Sequence, residues 1–175
     1  MDNNYIFQYW EAIQNGTVTV GKWIKTIYEI LVNGLKSGKW DFDEGKANKV
    51  INFIENFCHH SEGRNDLLKL ELWQKAIVSA IFGIMDKRTG YRQFREVFIV
   101  VARKNGKTLF AAAIAAYMAY IDGEYGAKVY FLAPKLDQAD LVYDAFYQIV
   151  QADDELDSIP RNAAAIFISK NLIPV

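Results

Sequence analysis

Apolar positions recur at three- and four-residue spacing over residues 5–14, 20–35, 47–57 and 68–82, and this period predicts four helices in the first half of the chain. Breakers separate them at Gly16, at Gly34 to Gly45, and at Ser61-Glu62-Gly63-Arg64-Asn65-Asp66. After Arg95 the period changes. Residues 96–102 and 128–133 are short, continuous apolar runs rich in β-branched and aromatic side chains, which predict strands covered on both faces. A long helical pattern follows each, and a further apolar run stands at 164–169. This alternation predicts an α/β fold with a parallel sheet and right-handed crossovers. The expected division is a helical subdomain over 1–90 and an α/β core over 91–175. In the helix expected at 109–121, Ala111, Ala112, Ala113, Ala115 and Ala116 leave almost no polar face, so it should pack closely against the sheet.

The junction between the run 96–102 and this helix carries the chemistry. It reads Ala102-Arg103-Lys104-Asn105-Gly106-Lys107-Thr108. A tight loop aims backbone N–H groups inward as a nest, and the helix behind it adds the positive end of its dipole, so anionic phosphates fit there. Lys107 would reach the β- and γ-phosphates, and the Thr108 hydroxyl would ligate the Mg²⁺ between them. Asn105 and Gly106 both tolerate the left-handed backbone such a loop needs. The general phosphate-loop pattern has glycine where this chain has Val101, and a plain surface turn between strand and helix is the competing reading.

These residues resemble the large subunit of tailed-phage terminases, whose variant phosphate loop lacks the first glycine and carries an arginine just upstream. Leu72-Trp73-Gln74, Arg92 with Arg95, Ala133-Pro134 and Gln138-Ala139 stand in the same order as in that family, over about 21–151. The resemblance implies a P-loop NTPase-type fold with an N-terminal helical subdomain. It also implies ATP and Mg²⁺ as cofactors, with 102–108 holding the phosphates and Arg103 and Lys107 as the catalytic residues. Trp73 would stack on adenine and Gln74 would read it, since a carboxamide can pair with both a donor and an acceptor on the base edge. The bland reading of that pair is a core tryptophan beside a surface glutamine. For Arg103 the alternative to sensing the γ-phosphate is a solvated loop cation. Implied partners are double-stranded DNA, the portal, the small terminase subunit and further copies of the chain in a ring.

Composition narrows the remaining choices. Half of the 175 residues are hydrophobic (51%), enough for a sizeable core, and a net charge of −1 gives no global attraction to nucleic acid. The single Cys58 cannot form an internal disulfide, no charged-then-apolar signal segment opens the chain, and the apolar stretch 108–121 is shorter than the ~20 residues that span a bilayer. A protein of the host cytoplasm, off the membrane, is expected. His59 and His60 lack a second pair at metal-ligand spacing, so no metal site beyond the nucleotide's Mg²⁺ is assigned. Asp153-Asp154-Glu155 with Asp157 reads as a solvated loop, and Asp137 as a helix cap ahead of Gln138.

Hydrolysis also needs a carboxylate at the end of a later strand to hold Mg²⁺, usually with a glutamate that activates water. The chain offers neither: Asp122 lies on the helix leaving the loop, and 170–175 hold no acid. The expectation is therefore a core truncated before its acidic strand and without the nuclease domain, binding ATP with little or no turnover. A non-catalytic module that docks portal or small-subunit proteins, and a fragment of another helicase-like ATPase, are the alternatives.

Overall fold

Helix α1 (Tyr5–Gln14) begins where the Asn4 side chain accepts the Ile6 N–H at 2.9 Å, a cap worth about 1 kcal/mol. In the computed structural model, which describes residues 4–60, 66–124, 127–153, 156 and 165–169, α1 belongs to the first of two units. That unit joins Met1–Asn52 to Leu70–Ile99, and the second joins Phe53–Lys69 to Val100–Val175.

In the first unit α1 is followed by α2 (Lys22–Lys36) and the two-residue strand β1 (Asp41–Phe42). Helix α3 (Glu44–Phe57) starts in this unit and ends in the second. Asp43 sets its start by accepting the Lys46 N–H at 2.9 Å. Helix α4 (Leu72–Gly83) runs into β2 (Ile84–Met85), which pairs antiparallel with β1. Ile6, Tyr9, Tyr28, Leu31, Val32, Ala76 and Ile84 form the core, with the Tyr9 and Tyr28 rings edge to face at 4.8 Å. Full burial of each of Ile6, Leu31, Val32 and Ile84 contributes roughly 1.5–3 kcal/mol over exposure. Two glycines let parts come close: the Trp40 ring lies where a Cβ on Gly34 would stand, and Phe42 Cε2 would be 2.5 Å from one on Gly83. One apolar stripe of α2 stays uncovered, with Trp23 75% exposed and Ile24, Ile27 and Ile30 also exposed.

The second unit contains α5 (Lys107–Tyr120), β3 (Lys128–Leu132), α6 (Leu136–Gln151) and β4 (Ala165–Ser169). Strands β3 and β4 are parallel, with Val129 opposite Ile166. Helices α5 and α6 pack on each other and on β3. Phe131 meets Tyr143 and Phe146 of α6 at centroid distances of 6.4 and 6.1 Å, while Tyr130 and Leu132 on the other face of β3 are exposed. Helix α5 buries Ala112, Ala113, Ala115, Ala116 and Ala119, whereas Ala111, expected to pack with them, is exposed.

The expected strand at 96–102 is not one. It is without secondary structure and joins no ladder among the described residues. Val97, Ile99 and Val100 are exposed, and Phe98 is 93% exposed. A strand exists only through backbone hydrogen bonds to a neighbour, and the apolar pattern alone does not supply one. The parallel sheet of the described residues is accordingly the two-stranded pair β3–β4. No described helix is long and apolar enough to cross a membrane. Ser61 to Asn65, the acidic positions Asp154, Glu155 and Asp157, and the tail 170–175 lie outside the described residues.

Candidate functional site

The loop after residue 101 reverses hand twice. Lys104 and Gly106 both have φ of +65°, with the non-left-handed Asn105 between them. The left-handed positions thus fall on Lys104 and Gly106; the expectation placed them on Asn105 and Gly106. A residue with a side chain at positive φ is uncommon, and here the neighbouring side chain braces it. Asn105 Nδ2 donates to the carbonyls of Ala102 and Arg103, at 3.2 Å each, tying those two acceptors to the rear of the loop. Alternation of hand turns successive N–H groups toward one side, which is the geometry of an anion nest.

Gly106 is the N-cap of α5, at φ 65° and ψ 16°, and no side chain caps the helix there. Lys107 and Thr108 occupy its first two positions, and the first helical bond runs from the Phe110 N–H to the Gly106 carbonyl at 2.9 Å. The first-turn N–H groups therefore face an approaching ligand without an internal acceptor. Helices α2 and α6 also start without a side-chain cap. What sets α5 apart is the double reversal in front of it and the Lys-Thr pair on its first turn. A Cβ on Gly106 would meet nothing within 4 Å, so glycine is required there by the backbone angle and not by crowding. Ala102, Arg103, Lys104, Asn105 and Lys107 are exposed, and Thr108 is half-buried. Packing of α5 through its alanines holds this loop on a rigid helix.

Trp73 and Gln74 lie in the first unit, on the first turn of α4. Trp73 packs half-buried against the core, and Gln74 is 8% exposed. Gln74 has a local partner that the sequence reading missed. Its Oε1 accepts the Glu71 N–H at 2.9 Å, and the Glu71 carboxylate accepts the Gln74 N–H in return, a reciprocal capping box. An acid followed three residues later by glutamine, just before an apolar run, is the signal that was available.

The other candidates take structural places. The Arg92 guanidinium sits 5.2 Å over the Phe82 ring and its backbone bridges Met85, while Arg95 is exposed. Asp137 is in the first turn of α6 and not at its cap, which is Lys135, so it acts on the dipole without capping. Gln138, next along, is exposed, and its N–H donates to the Lys135 carbonyl at 3.1 Å. His59 bridges Leu67, and its Nδ1 is buried without a partner. No group of His, Cys, Asp or Glu able to hold a metal occurs among the described residues. Burial pushes the Cys58 thiol up to about 12, with Asp153 adding to the shift, so it is no nucleophile.

Residues 72–169, more than half of the chain, match the family described as terminase large subunit, ATPase domain. The chain belongs to the terminase large subunit family. The matched segment contains α4, the loop and α5, and so takes in every candidate nucleotide contact. Among solved structures, the HK97 bacteriophage large terminase superposes with a TM-score of 0.60 at 23% identity, a likeness of fold. The match covers 74% of this chain and 28% of that one, so the terminase chain spans little more than a quarter of the length of the structure it resembles. Comparison with curated proteins gives no match.

Proposed function

We propose that this terminase chain binds MgATP at the loop 102–108, as the nucleotide-holding part of a motor that packages double-stranded DNA. The observation that carries the reading is the paired left-handed geometry of Lys104 and Gly106 directly ahead of the uncapped first turn of α5. That arrangement suits the donor set a triphosphate needs: inward N–H groups, an exposed Lys107 ammonium and the Thr108 hydroxyl. Lys107 neutralises charge on the β- and γ-phosphates, Thr108 holds Mg²⁺, and Arg103 answers charge at the γ-phosphate. Trp73 and Gln74 take the adenine. The bound nucleotide supplies the phosphoryl group whose transfer drives a motor of this kind.

Turnover by this chain alone is expected to be low. The last residues of β3 and β4 are Leu132 and Ser169, and neither is a carboxylate that could hold the metal. In the assembled motor the chain would work with DNA, the portal, the small subunit and further copies of itself. One observation favours a second reading, docking of a protein partner by the helical half: the uncovered stripe of Trp23, Ile24, Ile27 and Ile30 on α2.

Calorimetric titration of the chain with ATP and Mg²⁺, beside Lys107→Ala, tests the proposal. Binding that weakens at least about tenfold in the variant is expected, since a charge-assisted contact is worth roughly 1.5–3 kcal/mol. Equal binding by both proteins, or by neither, would remove the nucleotide reading and leave the docking one.

A further inference from the structure

Gln74 can read a base only if its carboxamide faces the right way, because Oε1 accepts and Nε2 donates. We infer that the backbone N–H of Glu71 is the positioning group that fixes this orientation. The inference rests on the reading of Gln74 as the adenine contact. The Glu71 N–H is 2.9 Å from Gln74 Oε1, and the Glu71 carboxylate closes the reciprocal bond onto the Gln74 N–H. Turning the amide over would set Nε2 donors against that same N–H, two donors face to face. The bond therefore permits one orientation and excludes its reverse.

The capping bond takes one lone pair of Oε1. The second lone pair and both Nε2 donors take no part in the box. A locked amide thus presents one acceptor beside its donors, which matches an adenine edge carrying a ring-nitrogen acceptor next to an amino donor. Guanine shows two adjacent acceptors, N7 and O6, on the corresponding edge. One of them then meets the fixed Oε1. An unlocked amide can swing its NH₂ group toward both, and base selectivity drops. Glu71 consequently acts through Gln74, without itself touching nucleotide, and a helix-capping motif becomes part of nucleotide choice.

The backbone angle at Glu71 allows a clean test. Its φ is −67° and its ψ 157°, close to what proline imposes, so its own backbone accepts Glu71→Pro, which removes the N–H together with the carboxylate. Glu71→Ala removes the carboxylate and keeps the N–H. The measurement is the ratio of ATP to GTP affinity, with inorganic tripolyphosphate as the probe of the phosphate loop alone. Glu71→Pro is expected to lower the ratio about three- to tenfold with tripolyphosphate affinity unchanged, as loss of one hydrogen bond predicts. Glu71→Ala should keep most of the ratio. If Gln74→Ala collapses the ratio while Glu71→Pro keeps it, or if Glu71→Ala falls as far as Glu71→Pro, the N–H is not the positioning group. If Gln74→Ala leaves the ratio untouched, the adenine reading itself fails. Should Glu71→Pro not fold, hydrogen exchange on the unaltered chain decides. A Glu71 amide protected in the presence of MgATP supports the lock, and one that exchanges like an open loop overturns it.

Discussion

In the first unit α1, α2 and α4 pack around large side chains, Ile6, Tyr9, Leu31 and Val32 among them, whereas α5 in the second unit is small along most of its buried surface. The first arrangement derives stability from volume, and added bulk has nowhere to go. The second lets a helix lie close to its neighbours and keeps its first turn open, so its sensitive positions are set by backbone angle. A methyl group should therefore do harm for different reasons in the two places.

Gly83→Ala puts this to its hardest test, because the new Cβ would stand 2.5 Å from Phe42 Cε2 and 3.0 Å from the Ala47 Cβ. Overpacking of this kind should lower stability by about 2 kcal/mol in urea unfolding. A loss below about 0.5 kcal/mol, the scatter of neutral surface changes, would mean that the β1–β2 corner yields to a methyl group.

Cys58 tests whether the second unit also has a dry interior. Its thiol stays protonated in the fold up to about 12, against 9.0 for an ordinary thiol. Between those values the unfolded chain binds fewer protons, so stability must fall as pH rises, by at most about 1.4 kcal/mol per pH unit. Urea titrations at pH 8 and 10 should show this slope, and Cys58→Ala should flatten it. A slope unchanged in the variant would place the titration on other groups.

At the loop the methyl acts through strain alone. Gly106→Ala meets no atom within 4 Å, yet puts a side chain at φ +65°, at about 1 kcal/mol. The converse change, Lys104→Gly, relieves the same angle and should raise stability by roughly 0.5 kcal/mol. Thermal melts of the two variants should move in opposite directions. A Lys104→Gly protein that melts lower would show that the lysine side chain contributes more than its backbone angle costs.

Much of the helical half was legible from periodicity. Helix α1 coincides with the pattern at 5–14, while α3 begins three residues earlier than its apolar period because Asp43 caps it. Helix α4 begins four residues later than its period, at the Glu71 box. Two-residue strands such as β1 and β2 are too short to leave a period at all. The run at 96–102 misled for a deeper reason, since an apolar sequence states only that a segment seeks cover, and the ladder depends on segments distant in sequence. At the site, Gly106-Lys107-Thr108 announced the loop. The tie from Asn105 and the left-handed Lys104 were hidden, because both depend on how the chain folds back on itself.

The interleaving of the two units along the chain bears on how the protein is made. A ribosome delivers Ile6 and Leu31 long before Ala76 and Ile84, which complete their core, and delivers Phe53–Lys69 before Val100, where the rest of its unit begins. The first unit can close only once Ile99 has been made, and the second only after Val100 and the residues beyond it. Early segments must wait with their apolar stripes uncovered, and an excised piece, wherever the cut falls between 53 and 99, strands part of a core. Expression of the chain in one piece is the practical requirement that this threading imposes.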